Sequence, residues 1–61
     1  MDWYVKISVY GVVVPDATTW HETKNDCLTY IMRQLNNGNH PSHTIFHYGK
    51  DGQKAEEVHV K

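Results

Sequence analysis

One segment with helical periodicity, framed by two stretches with strand periodicity, constrains this chain more than any other feature. Trp3, Val5, Ile7 and Val9 alternate with Tyr4, Lys6 and Ser8. That is the period-two pattern of a half-buried strand rich in β-forming side chains. Tyr10-Gly11 predicts a tight turn into a short second strand, Val12 to Val14, which Pro15 stops; one long strand kinked at Gly11 is the alternative. Trp20, Cys27, Leu28, Ile31, Met32 and Leu35 then recur near helical period, which predicts a helix over residues 19–36. Thr19 and Glu22 stand at capping-box spacing at its start, Asn36-Asn37-Gly38 supplies a left-handed stop, and Pro41 prevents continuation. His43, Ile45 and His47 next alternate with Thr44, Phe46 and Tyr48. Gly49-Lys50-Asp51-Gly52 reads as a hairpin loop and Glu56 to Val60 as the return strand, with Val58 and Val60 on one face.

The order is β(β)αββ. It predicts an α+β fold, one domain over residues 1–61, with one helix packed on a three- or four-stranded, mostly antiparallel sheet. The expected core is Trp3 or Tyr4 with Val5, Ile7, Val9, Leu28, Ile31, Met32, Leu35, Phe46, Val58 and Val60. A chain of this size buries only roughly 60% of its unfolded surface, and has no room for the repeated βα units of a Rossmann domain or a TIM barrel. Its longest apolar run, Val12-Val13-Val14, falls far short of the ~18 residues a membrane span needs, so no membrane partner is expected. Met1-Asp2-Trp3 lacks the basic and apolar regions of a secretion signal, and the chain reads as an intact small protein. The single Cys27 cannot form an internal disulfide, which suits a reducing, cytoplasmic setting.

Six Lys and Arg oppose seven Asp and Glu, a net charge of −1. Nucleic-acid binders carry a clear cationic excess to replace phosphate counterions, which disfavours that class. Five histidines are the anomaly. Protonating all five would carry the charge from −1 to +4 across roughly pH 7.5 to 5.5, at an ordinary imidazole pKa of ~6.5.

Little here resembles reactive machinery. His40, His43, His47 and His59 invite a metal reading. However, His43 and His47 lie roughly 13 Å apart along a strand at ~3.3 Å per residue. One zinc ion with ligand bonds of ~2.0–2.1 Å cannot take both. His59 and Glu57 would join only by accident of register, so no metal and no other cofactor is expected. Cys27 has no adjacent base and reads as a residue at the edge of the core. Gly49 and Gly52 flank Lys50 in a hairpin, not between a strand and a helix, so they form no phosphate cradle. Glu56 and Glu57 point to opposite faces of their strand. No catalytic residue emerges, and the chain is expected not to be an enzyme.

The aromatic residues are more informative. Trp3, Tyr4, Tyr10, Trp20, Tyr30, Phe46 and Tyr48 are more than one small core can enclose. Tyr4, Tyr10, Trp20, Tyr30 and Tyr48 are the candidate partner-binding residues, since exposed Tyr and Trp anchor protein interfaces.

The stretch from Leu35 to Phe46, with Gly38 after the helical segment and Ser42-His43 before a strand, resembles HicA-type toxins. The resemblance implies a double-stranded-RNA-binding-like fold with His43 serving RNA cleavage. The chain departs from that pattern at Pro41, where the family has glycine, in its neutral charge, and in its leading strands with no second helix at the end. The N-terminal half is similar in pattern to many small phage and plasmid accessory proteins, a likeness that transfers no site residues. The expected function is that of a non-catalytic, cytoplasmic interaction module of phage or mobile-element type. It would inhibit or assist a larger protein by steric binding and would be favoured to form a homodimer. The alternative is single-stranded nucleic-acid binding through Tyr4, Lys6, Tyr10 and the Lys50/Lys54 hairpin.

Overall fold

The computed structural model describes residues 1–60. Its elements are β1 (Trp3–Val9), β2 (Val12–Val13), a 3-10 turn (Pro15–Ala17), β3 (Thr19–His21), α1 (Lys24–Asn37), β4 (Thr44–Lys50) and β5 (Glu56–His59). The single helix packs on an antiparallel sheet of five strands. The sheet has four rows, in the order β2 and β3 together, then β1, β4 and β5.

The fifth strand arises because the return from β1 is cut in two. Val9 pairs with Val12 across Tyr10-Gly11, whose φ angles of 51° and 79° are both positive. That is the two-residue turn whose twist matches a hairpin, so the kinked-strand alternative is excluded. Partnered positions between β1 and β2 sum to 21 (8 + 13), and those between β1 and β3 sum to 24 (3 + 21). Three residues are therefore extruded from the edge, and they are Pro15–Ala17. Pro15 has no N–H for the ladder, which makes this the natural place to leave it. The Val14 N–H still donates to the Ile7 carbonyl at 2.8 Å, so the return is clamped just before it departs.

Pairing of Thr19–His21 with Val5–Trp3 also corrects the helix start. Thr19 and Trp20 are extended, not helical. The cap is Thr23, whose hydroxyl accepts from the Asp26 N–H at 3.1 Å. Strand hydrogen bonds to β1 outcompete the capping box, and Trp20 leaves the helical stripe. The stop also differs. Gly38 is extended (φ −138°), so it is not a left-handed cap. A Cβ there would stand 3.3 Å from His40 Nε2 and 3.4 Å from the Gln34 carbonyl oxygen. Glycine instead makes room for His40, whose ring N–H donates to that carbonyl at 2.8 Å and satisfies a helix-end acceptor. In the last hairpin, Gly49 and Lys50 belong to β4 rather than the loop. The turn is Lys50 to Gln53, closed by the Gln53 N–H on the Lys50 carbonyl.

The core is smaller than expected: Val5, Cys27, Ile31 and Phe46 are buried, with Trp3, Ile7, Tyr30, Tyr48, Val58 and Val60 packed partly against them. Two helical stripes compete in this sequence, 27/30/31/34 and 28/31/32/35, both with perfect i, i+3, i+4, i+7 spacing. The first faces the sheet. Cys27 is fully buried rather than at the core edge, because its small side chain lets the helix approach β1, with Sγ–H directed at the Tyr4 carbonyl at 3.6 Å. Met32 and Leu35 consequently turn to solvent, 62% and 38% exposed, and Leu28 is half-buried.

Candidate functional site

Cross-strand partners in an antiparallel sheet share a face. Val5 opposite Tyr48, Ile7 opposite Phe46, and Phe46 opposite Val58 define the face under the helix. The other face carries Tyr4, Lys6 and Ser8 from β1, Trp20 from β3, Ile45 and His47 from β4, and Glu57 and His59 from β5. Among the described residues α1 is the only helix longer than a turn, and it packs on the opposite side. This second face is therefore open.

Its two halves differ. At one end Tyr4 and Trp20 are direct partners between β1 and β3. Their rings meet edge-on at a centroid separation of 5.9 Å, and Trp20 is 47% exposed. The Lys6 ammonium lies 4.9 Å from the centre of the Tyr4 ring. The Tyr4 hydroxyl reaches across Gly49, 3.4 Å from where a Cβ would stand. The platform is thus an exposed indole braced by a half-buried phenol, with one cation above.

The other half is polar. Ser8 Oγ lies 2.8 Å from His47 Nε2, His47 Nδ1 is 3.7 Å from a Glu57 oxygen, and the other Glu57 oxygen lies 3.0 Å from His59 Nε2. With the His47 proton on Nδ1, toward Glu57, Nε2 accepts from the Ser8 hydroxyl. The connectivity is that of a serine–histidine–carboxylate relay. Yet Ser8 is only 3% exposed and is flanked by paired strands on both sides, at Val13 and Ile45. The bond satisfies a buried hydroxyl and ties β1 to β4.

The sequence-derived candidates separate accordingly. Tyr4 and Trp20 come together on the open face. Tyr10, 65% exposed, stands alone at the far turn, stacked on His43 at 4.3 Å. Tyr30 and Tyr48 pack against the core on the helix side, and Tyr30 also contacts His21 at 5.1 Å between ring centres. His43 precedes β4 in a left-handed conformation (φ 62°), so it does not share a strand face with His47. It is exposed, and its ring contact is Tyr10. Among the described residues no group of three His, Cys, Asp or Glu side chains is arranged to hold a metal.

Burial and, secondarily, the neighbouring Asp26 carboxylate push the Cys27 thiol above its usual range, which favours the unreactive neutral form. Sequence reasoning missed the Ser8–His47 bond, because the two residues are diagonal neighbours whose meeting depends on β1–β4 register. It also missed the apolar helix stripe of Leu28, Met32 and Leu35 left outside the core. The only available signal was that Ile31 belongs to both stripes. Among the described residues no helix is long and apolar enough to cross a membrane. Comparison with protein-family models, with curated proteins and with solved structures finds no match to this chain.

Proposed function

We propose that this chain is a small, non-catalytic binding module that attaches to a larger protein through the open face of its sheet. Its action is steric, as befits an accessory or inhibitor protein of phage or mobile-element type working in the cytoplasm. The observation that carries the reading is the Tyr4–Trp20 pair, an exposed indole braced on a face that no helix covers among the described residues. Trp and Tyr are the side chains that most often dominate the energy of protein interfaces, because each buries a large rigid surface and keeps one polar atom for a hydrogen bond. The neighbouring edge at β3 leaves strand groups available for an added strand. Self-association uses the outward helix stripe of Leu28, Met32 and Leu35, an apolar surface that a second copy would bury.

The test is affinity capture with the wild-type chain, Trp20→Ala and Tyr10→Ala side by side, together with sedimentation of the free protein. A protein partner retained by wild type and by Tyr10→Ala but lost with Trp20→Ala supports the open face. Equal capture by all three rejects it.

A second reading has its own support: aromatics on the open face of an antiparallel sheet are also a stacking platform for unpaired bases, and Lys6 would meet the backbone. Salt separates the two. Phosphate-led binding weakens steeply with rising ionic strength, whereas an apolar protein contact barely responds.

A further inference from the structure

A cavity on the helix side of the sheet, away from the open face, gathers an unusual share of the chain's positive charge. Its lining includes Lys24, Lys50 and Lys54, three of the six Lys and Arg residues in the sequence. They come from three separate places: the first residue of α1, the last of β4, and the loop before β5. Among the described residues the only carboxylate ion pairs within 4.0 Å are formed by histidines, so no described carboxylate pairs with these lysines at that distance. Glu56 is the one acidic residue in the lining. Trp3 and Tyr48, both half-buried, form aromatic walls, and Lys50 stands directly opposite Trp3 in the β1–β4 register.

Like charges gathered around a concavity raise the free energy of the empty protein, and an anion relieves it. We propose that this cavity binds the phosphate group of a free mononucleotide, with its ring system against Trp3. Three lysines and one glutamate leave a local charge of +2 (3 − 1), which matches a phosphate monoester at about −1.5 to −2 near neutral pH. The cavity volume of about 130 Å³ admits one small group and not a whole nucleotide. A cavity of ~150 Å³ holds a single benzene ring, for comparison. The phosphate therefore enters the cavity, and the ring lies outside it on the Trp3 side of the lining. The positive end of the α1 dipole, at Lys24, adds to the attraction.

The experiment titrates AMP, adenosine and inorganic phosphate into Trp20→Phe protein, in which Trp3 is the only indole, and follows Trp3 fluorescence and backbone amide shifts. The expected result is saturable binding of AMP with shifts at Lys24, Gly49 and Lys50, weaker binding of phosphate and no binding of adenosine. The double variant Lys50→Gln/Lys54→Gln should weaken AMP by at least tenfold, since each charge-assisted bond is worth about a factor of ten or more. Arg33→Gln, which removes a charge on the exposed helix surface, should leave binding unchanged. The amide spectrum shows that each variant stays folded. No saturable change at millimolar AMP overturns the proposal. So does adenosine binding as well as AMP, phosphate binding as tightly as AMP, or an equal loss in Arg33→Gln.

Discussion

At the scale of single residues, backbone conformation and burial separate positions that look equivalent in sequence. Gly11 adopts φ +79° with nothing within 4 Å of a would-be Cβ, so its role is conformational and not spatial. Gly11→Ala should cost about 1–2 kcal/mol in urea unfolding although the new methyl meets open solvent, because a Cβ in the left-handed region crowds its own backbone. Wild-type stability after that change would mean that the turn had found another shape. Cys27 makes a second case. Its thiol is raised from 9.0 by burial, so the folded state holds the proton more tightly than the unfolded state. The contribution is fully present below pH 9 and is lost as pH climbs from there through the raised folded value. The stability difference between wild type and Cys27→Val should accordingly shift against wild type above pH 9 and stay flat below it. In native protein the same thiol should resist alkylating reagents and react only on unfolding.

At the scale of elements, the helix shows how tertiary contact chooses between two stripes of the same spacing, and takes inward the one that carries Gln34 rather than the more apolar Leu28, Met32 and Leu35. Only Ile31 belongs to both stripes, and the sheet selects the side that carries Cys27. Ile31→Ala should therefore lose about 2–5 kcal/mol, while Met32→Ala, one position on and 62% exposed in the single chain, should stay within about 0.5 kcal/mol at dilutions where the protein is monomeric. Comparable losses at the two sites would place the other stripe inward. The helix start gives a parallel contrast. Thr23→Ala removes the hydroxyl that accepts from Asp26 and should cost about 1 kcal/mol, whereas Glu22→Ala, at the carboxylate of the abandoned capping box, should be nearly neutral. Both are measurable by thermal unfolding followed by circular dichroism.

At the scale of the whole molecule, the sheet and helix enclose four buried apolar side chains among the described residues, of which Phe46 is the largest. A domain of this length has roughly 3–9 kcal/mol of stability, and Phe46→Ala removes about 3–5 of it. That variant should populate the unfolded state measurably at 37 °C, seen as collapse of amide dispersion; a fully dispersed spectrum would show that the core extends beyond this cluster. Much of the architecture was legible in advance. Alternation placed β1, β4 and β5, and Tyr10-Gly11 announced the first hairpin, because side-chain period and turn chemistry act within a few residues. The candidate site was legible only as a surplus of aromatics. That Tyr4 meets Trp20 while Tyr30 and Tyr48 fold inward depends on β3 pairing with β1 and on the rotation of α1. Local composition determined which elements exist, since propensity and periodicity are properties of neighbouring residues. Register, the buried face of the helix and the gathering of Lys24, Lys50 and Lys54 were settled by packing. They require segments distant in the chain to compete for the same few partners, and no short stretch of sequence carries the outcome of that competition.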